Sequence, residues 1–159
     1  MAPMVNTYEE AQKIVQSSKY PPKGVRGAGF GFAHDNYKNE GPLNYIEKAN
    51  NNLINIIQIE TKVGLENVEK IAAIEGVDCL WVGHFDLTNF LGIPGQFSSE
   101  IYLNAINRVV AAAKLNKKSL GIMVNNHDEL KMYSNIGFNM IAVGTEMSIL
   151  SRSISQILQ

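Results

Sequence analysis

Apolar residues recur along the chain with two different spacings, and together they predict alternating strands and helices. Short, nearly uninterrupted apolar runs are typical of strands in a parallel sheet covered on both faces. Apolar residues three or four positions apart predict amphipathic helices. On this basis we predict five strands, each followed by a helix, at MAPMV, NIIQIE, CLWVG, LGIMV and MIAVG.

The predicted helices carry start and stop signals of their own. Thr7 and Glu10 have the spacing of a capping box and predict a first helix that runs to about Ser18. Pro42 can open a second helix as its first residue. Three more helices are predicted before a last amphipathic one, at about 63–74, 99–116 and 127–136.

Strands that are separated by helices predict an α/β fold with parallel pairing and right-handed crossovers. Two architectures fit the pattern. One is a doubly wound open sheet, and the other is an eight-stranded (β/α)8 barrel of which three strands are absent. The periodicity alone does not separate them.

Two acidic residues stand at the ends of neighbouring predicted strands. Gln58 and Glu60 share one face of their strand, because Ile57 and Ile59 point the other way. Glu60 closes this strand, and Asp86 follows the end of the next, where parallel sheets gather ligands. Two carboxylates brought together lose solvation and repel each other. We therefore expect a divalent cation with oxygen ligands, Mg²⁺ or Mn²⁺ rather than zinc.

A purely structural interpretation of these carboxylates is also open. Glu60 would then pair with Lys62 or another cation, and Asp86 would cap a short helical turn at Leu87–Phe90. Gln58 would be a buried hydrogen-bonding group instead of a substrate contact.

The sequence GHFDLT around Asp86 suggests further contacts. Gly83 would let a substrate approach the backbone amides at the strand tip, where an anion could bind. His84 is either a surface or loop residue or a proton carrier that faces the reaction centre.

Composition narrows the functional classes. The chain has 159 residues, 45% of them hydrophobic, and a formal net charge of -1, as expected for one globular domain. It has no dense Lys/Arg cluster, so we expect no binding to nucleic acid or to an anionic membrane surface. No apolar stretch approaches the roughly 18 residues of a membrane-spanning helix. The single cysteine, Cys79, lies in an apolar run, where we expect it to pack in the core of a cytoplasmic protein.

Several segments together resemble the HpcH/HpaI family of metal-dependent pyruvate aldolases, which is related to the citrate lyase beta subunits. They are MAPMV, YPPKGVRG, QIET, GVDCLWVGHFDLT, LGIPGQF and AVGTE, and the resemblance covers essentially the whole chain. It implies a TIM barrel of the phosphoenolpyruvate/pyruvate type. Residues 1–159 would be the C-terminal portion of one such barrel, with about five of its eight strands.

The resemblance also implies the site and the reaction. Glu60 and Asp86 would hold a divalent ion, Mg²⁺, Mn²⁺ or Co²⁺. Gln58 would lie beside the oxygens of pyruvate, and the turn of Gly83, His84 and Phe85 would hold the pyruvate carboxylate. The implied reaction is cleavage of a 4-hydroxy-2-oxo acid to pyruvate and an aldehyde, or its reverse, in a homo-oligomer. His84 and Phe85 replace the Pro-Ala of many relatives and would narrow the acceptor pocket.

Relatives of this kind carry three further strands before MAPMV, with a histidine for acid–base chemistry and an arginine that clamps the substrate carboxylate. We therefore expect little activity from this chain alone. A truncated gene or incomplete sequence, one half of a split enzyme, and a degenerate relative are the possible explanations, and we expect the first. The alternative function is a non-catalytic interaction subunit that assembles with a full-length relative. A doubly wound metal-binding module is the third option.

Overall fold

The computed structural model of the protein describes residues 1–38 and 41–158, and within these residues four strands form one parallel sheet. They are β1 (Ile56–Ile59), β2 (Cys79–Val82), β3 (Ser119–Val124) and β4 (Met140–Val143). The strands lie side by side in sequence order, β1-β2-β3-β4. A doubly wound sheet reverses its order about a central strand, whereas a barrel wall does not. The sheet is therefore the wall of a partial barrel.

The first predicted strand, MAPMV, forms only a single bridge to this sheet. The Ala2 amide donates to the Ile56 carbonyl oxygen at 2.9 Å, and the Gln58 amide donates to the Ala2 carbonyl oxygen at 2.9 Å. Met4 then takes a left-handed conformation with φ 55°, so the extended conformation ends there. The prediction of five strands was wrong at this position, although the segment lies beside β1 in parallel as expected.

Helices flank the sheet, and most begin and end at the predicted signals. Thr7 and Glu10 form the predicted capping box, and Pro42 is the first residue of its helix. Within the described residues there are eight α-helices: α1 (Tyr8–Ser18), α2 (Pro42–Asn52), α3 (Lys62–Glu66), α4 (Val68–Ala72), α5 (His84–Phe90), α6 (Glu100–Leu115), α7 (His127–Ile136) and α8 (Glu146–Ile157). None of the helices in this part of the chain is long and apolar enough to cross a bilayer.

The helix predicted at about 63–74 is broken at Asn67 into α3 and α4. Asn67 has φ -105° and ψ 5°, outside the helical range. Its side-chain amide donates to the Asn6 carbonyl oxygen at 2.9 Å and to the Val63 carbonyl oxygen at 3.1 Å. A contact with the N-terminal segment therefore overrides the local helical pattern.

The two faces of the sheet differ in burial. The face that packs under the helices is fully apolar and buried, with Ile57, Ile59, Leu80, Val82, Ile122 and Val124. The opposite face carries Gln58, Trp81, Gly121 and Met140 side by side in register. Gln58, Trp81 and Met140 are only half-buried there. This second face, the inner side of the barrel wall, carries the candidate site.

Candidate functional site

Glu60 lies at the carboxyl end of β1 as a buried carboxylate with two neutral hydrogen-bond donors. Its side chain is 3% exposed. The Gln58 side-chain amide donates to Glu60 Oε2 at 2.6 Å, so the two polar residues share one face as predicted. The Met4 backbone amide donates to Oε1 at 2.7 Å. Within residues 1–38 and 41–158 no lysine or arginine pairs with this carboxylate, so the predicted alternative of a Lys62 partner was wrong.

Gly83 provides the space in which the Glu60 carboxylate lies. A Cβ atom at residue 83 would lie 2.7 Å from Glu60 Cβ and 2.8 Å from Gln58 Nε2, and closer still to Glu60 Oε2. Any larger residue would displace the carboxylate, because these distances are far below van der Waals contact. The Gly83 amide donates to the Ile59 carbonyl oxygen at 3.1 Å. It is therefore already engaged, and the role of Gly83 is steric.

The segment around Asp86, expected as a turn, is the first turn of α5. This helix begins at His84, and the Leu87 amide donates to the Gly83 carbonyl oxygen at 2.8 Å. Asp86 is thus the third residue of the helix and does not cap a turn at Leu87–Phe90, as the structural interpretation had it. Its side chain is exposed and forms no hydrogen bond within the described residues. It is free to take a ligand.

A cavity of about 150 Å³ brings most of the predicted site residues together. Its lining consists of Gln58, Trp81, Val82, Gly83, His84, Phe85, Asp86 and Met123. Glu60 does not itself line the cavity, but its carboxylate accepts a hydrogen bond from Gln58 and lies against Gly83, and both of these residues do line it. The carboxyl ends of β1 and β2 therefore converge on one small concave site, as parallel strands of a barrel do.

His84 is buried and not a surface residue, which corrects the first of the two expectations for it. It is 8% exposed. Its ring centroid lies 4.6 Å from that of Phe85 and 5.1 Å from that of Phe97. Burial lowers its pKa, although the nearby Glu129 carboxylate acts in the opposite direction. Burial of the ring therefore favours the neutral form of the imidazole over the charged one.

Sequence reasoning missed three contributors to the site. Trp81 faces the cavity, and strand alternation could have revealed this, because Trp81 is paired in register with Gln58. Met4 contributes through its backbone amide, which no side-chain pattern reveals. Phe97 reaches the site from the connection after α5, where no periodic signal exists.

The donor set of the site fits a hard divalent cation. No group of three or more His, Cys, Asp or Glu side chains in the described chain could hold a metal ion, so a cation at this site would have at most two ligands of these types. Mg²⁺ is commonly bound by one or two carboxylates, with water and substrate oxygens in its other positions. The buried charge of Glu60 meets only neutral donors, which leaves it uncompensated without a cation. Glu60 and Asp86 would be the ligands.

Comparison with known proteins gives consistent matches along the chain. A family model described as HpcH/HpaI aldolase/citrate lyase matches residues 1–153. The hydroxypyruvate/pyruvate aldolase of Delftia acidovorans is 37% identical over 153 residues, which are 96% of this chain and 56% of the relative. The 4-hydroxy-2-oxo-heptane-1,7-dioate aldolase of Shigella flexneri is 33% identical over 153 residues, 96% of this chain and 57% of the relative.

A solved structure shares the fold. The crystal structure of an HpcH/HpaI aldolase/citrate lyase family protein from Burkholderia cenocepacia J2315 matches with a TM-score of 0.90 and 31% identity. The match covers 98% of this chain and 61% of that chain. The chain thus spans just over half the length of the curated relatives it matches.

Proposed function

Because the chain belongs to the HpcH/HpaI aldolase/citrate lyase family, we propose that it carries the metal-binding side of a pyruvate aldolase site. The reaction is cleavage of a 4-hydroxy-2-oxo acid to pyruvate and an aldehyde, or the reverse. The observation that carries the proposal is the buried Glu60 carboxylate, which lies against Gly83 and meets only neutral donors. Asp86, in the first turn of α5 just after β2, lines the same cavity as Gln58.

Each residue has a separate role in this proposal. Glu60 and Asp86 hold the ion, which is Mg²⁺, Mn²⁺ or Co²⁺. When bound, a divalent ion supplies Lewis-acid stabilisation of the enolate charge that develops as the carbon–carbon bond breaks or forms. Gln58 holds Glu60 through one amide hydrogen and offers the other to an oxygen of pyruvate. His84 and Phe85 form the wall of the pocket on the side of α5.

The lining of the cavity supports a metal-assisted reaction over Schiff-base chemistry. Among the described residues that line it there is no lysine. A Schiff-base aldolase needs a lysine amine within reach of the keto carbon. The two carboxylates supply the alternative means of stabilising the enolate, because they can position a Lewis acid there.

Binding of Mn²⁺ tests the site directly in this chain. Trp81 is the single tryptophan of the sequence and lines the cavity, so its indole N–H gives the single indole signal in a ¹H–¹⁵N spectrum. Substoichiometric Mn²⁺ should broaden this signal, while Mg²⁺ should only shift it. Glu60→Gln and Asp86→Asn should abolish the broadening. Glu66→Gln, an exposed carboxylate on α3, is the matched control and should retain it. Broadening unchanged in both site variants would refute the assignment.

A second measurement tests the catalytic activity. Pyruvate release from 4-hydroxy-2-oxo acids should depend on added divalent ion. We expect it to be weak for the chain alone and stronger after fusion to the part of the Burkholderia relative that this chain does not match. The same two variants should abolish it in the fusion. Activity that persists after chelation of divalent ions would argue against the proposed reaction.

In this proposal the protein binds two small molecules, pyruvate and an aldehyde. It acts in the reducing cytoplasm, where the buried Cys79 would stay unpaired. The full-length form would be a homo-oligomer. The mass of that form, measured by light scattering during size-exclusion chromatography, tests whether it is an oligomer.

The alternative function, an interaction subunit, is favoured by one observation on α8. In the described part of the chain no residue of this helix is buried. Its exposed apolar side chains are Met147, Ile149, Leu150, Ile154 and Ile157. If interaction is the main role, mixing with a full-length relative should give a stable mixed species, and Leu150→Glu should prevent it. A chain that stays separate from the relative would rule this function out.

A further inference from the structure

An aromatic ring stands exposed at the edge of the candidate cavity. Phe85 is the second residue of α5 and lines the cavity, yet 55% of it remains exposed. Covering exposed phenyl surface of this kind with an apolar group is favourable, because it removes apolar area from water. The edge of the cavity at α5 can therefore contact an apolar group of a ligand that extends past the proposed metal position.

The Phe85 ring is held in place by other rings. Its centroid lies 5.1 Å from that of Phe97, at an interplanar angle of 88°. Phe97 in turn lies 5.5 Å from the ring of Tyr102, which is fully buried. His84 packs against Phe85 at 4.6 Å. The edge-to-face contacts of Phe97 with Phe85 and Tyr102 are favourable, so this aromatic cluster holds the Phe85 ring at the cavity edge.

The charges around the cavity do not suit an acidic ligand group at this edge. Among the described lining residues there is no lysine or arginine. A carboxylate brought against Phe85 would therefore lose water without gaining a hydrogen bond from a cationic side chain of these residues.

We propose that Phe85, supported by Phe97, is a specificity-determining residue that selects an uncharged, apolar aldehyde as the partner of pyruvate. This inference rests on the proposed aldolase function. Such selectivity would distinguish the chain from an aldolase that cleaves a hydroxy-oxo dioate, because the aldehyde product of that reaction carries a carboxylate.

Unreactive alcohol analogues of the two aldehyde classes test the selection. Benzyl alcohol represents an apolar aldehyde, and 4-hydroxybutyrate represents a carboxylated one. Each is titrated into the ¹⁵N-labelled chain with Mg²⁺ present, and the shift of the Trp81 indole signal is followed. Benzyl alcohol should bind at least about tenfold more tightly, since hydrophobic pockets discriminate by this order per group.

Variants on α5 separate the role of the ring from general effects. Phe85→Ala should weaken benzyl alcohol about tenfold and leave 4-hydroxybutyrate unchanged, while Phe85→Leu should retain most of the preference. Phe85→Lys should reverse it by adding a cation. Phe90→Ala is the matched control, because Phe90 is on the same helix and 49% exposed but does not line the cavity.

The outcomes separate a failure of this inference from a failure of the proposed aldolase function. Equal affinities for the two alcohols, or a preference that Phe85→Ala leaves intact, would overturn the selection while Mn²⁺ binding at Glu60 and Asp86 stands. Loss of Mn²⁺ broadening in the unmodified chain would instead overturn the proposed function. A tenfold preference that disappears in Phe85→Ala and persists in Phe90→Ala supports the inference.

Discussion

The backbone amide of Met4 donates a 2.7 Å hydrogen bond to Glu60 Oε1, across 56 positions of sequence. Met4 holds this amide in place through a left-handed backbone conformation, with φ 55°. Ala2, two residues earlier, pairs with β1 on either side of Ile57. The N-terminal segment is therefore both a continuation of the barrel wall and a support for the buried carboxylate.

Substitution of Met4 should separate backbone strain from side-chain packing. A left-handed conformation costs a residue other than glycine about 1–2 kcal/mol, and a β-branched residue tolerates it least. Met4 already bears this cost, and the β-branched side chain in Met4→Val should add to it, so this variant should unfold at a lower urea concentration and bind Mn²⁺ more weakly. Met4→Gly keeps the amide and should bind Mn²⁺ normally. If Met4→Val binds Mn²⁺ as tightly as the unmodified chain, the Met4–Glu60 bond does not position the carboxylate.

Gly83→Ala should abolish Mn²⁺ binding even though it removes no polar group. The added methyl group would overlap the Glu60 carboxylate and the Gln58 amide. Overpacking of this kind costs about 1–3 kcal/mol of stability. The control is Gly27→Ala, since a Cβ at Gly27 meets nothing within 4 Å. Spectra and urea titrations on both variants give the comparison, and equal Mn²⁺ affinity in Gly83→Ala would contradict the steric role.

Local signals predicted much of the fold. Ser99 and Asn116 flank α6 at the predicted limits, and Gly137 ends α7 in a left-handed conformation. Such signals act through neighbouring residues, so the sequence alone contains them. The break at Asn67 and the single bridge at Ala2 depend on contacts between residues far apart in sequence, and no local pattern reveals them.

The sequence likewise predicted the local features of the candidate site but not those that depend on tertiary contacts. Strand alternation placed Gln58 and Glu60 on one face, and their 2.6 Å hydrogen bond confirms that placement. The amide of Gly83 was expected to be open to a ligand, but the pairing of β1 with β2 extends to it and engages it. The aromatic stack from Tyr102 to Phe85 joins two helices through Phe97, and only tertiary packing brings these rings together.

The buried hydroxyl pair of Tyr102 and Tyr133 should behave as one unit in stability measurements. The two oxygens lie 2.7 Å apart, and each ring joins α6 or α7 to the core. Replacing one by phenylalanine leaves the other hydroxyl without this partner, at a cost of about 1–3 kcal/mol. The double variant, Tyr102→Phe with Tyr133→Phe, should cost less than the sum of the two single variants. Strict additivity in urea titrations would show that the hydroxyls do not depend on each other.

Cys79 should resist alkylation in the native protein and should make stability fall at high pH. The thiol is fully buried at the start of β2, and burial raises its pKa to about 11, with the Asp78 carboxylate adding to the effect. The folded-state pKa thus exceeds that of the unfolded chain. Linkage then makes the contribution of the protonated thiol complete below about pH 8, and it is lost as the pH rises towards about 11.

Two measurements check this behaviour against a variant without the thiol. Iodoacetamide at about pH 8 should label Cys79 only as fast as the structure opens, because only the exposed thiolate reacts. Between about pH 8 and pH 10, the free energy of unfolding should fall more for the unmodified chain than for Cys79→Ala, since only the former gains a proton-release site on unfolding. Labelling at the rate of a free thiol would mean that β2 does not bury this residue. Parallel pH dependence in the two chains would mean that the thiol ionises as readily in the fold as outside it.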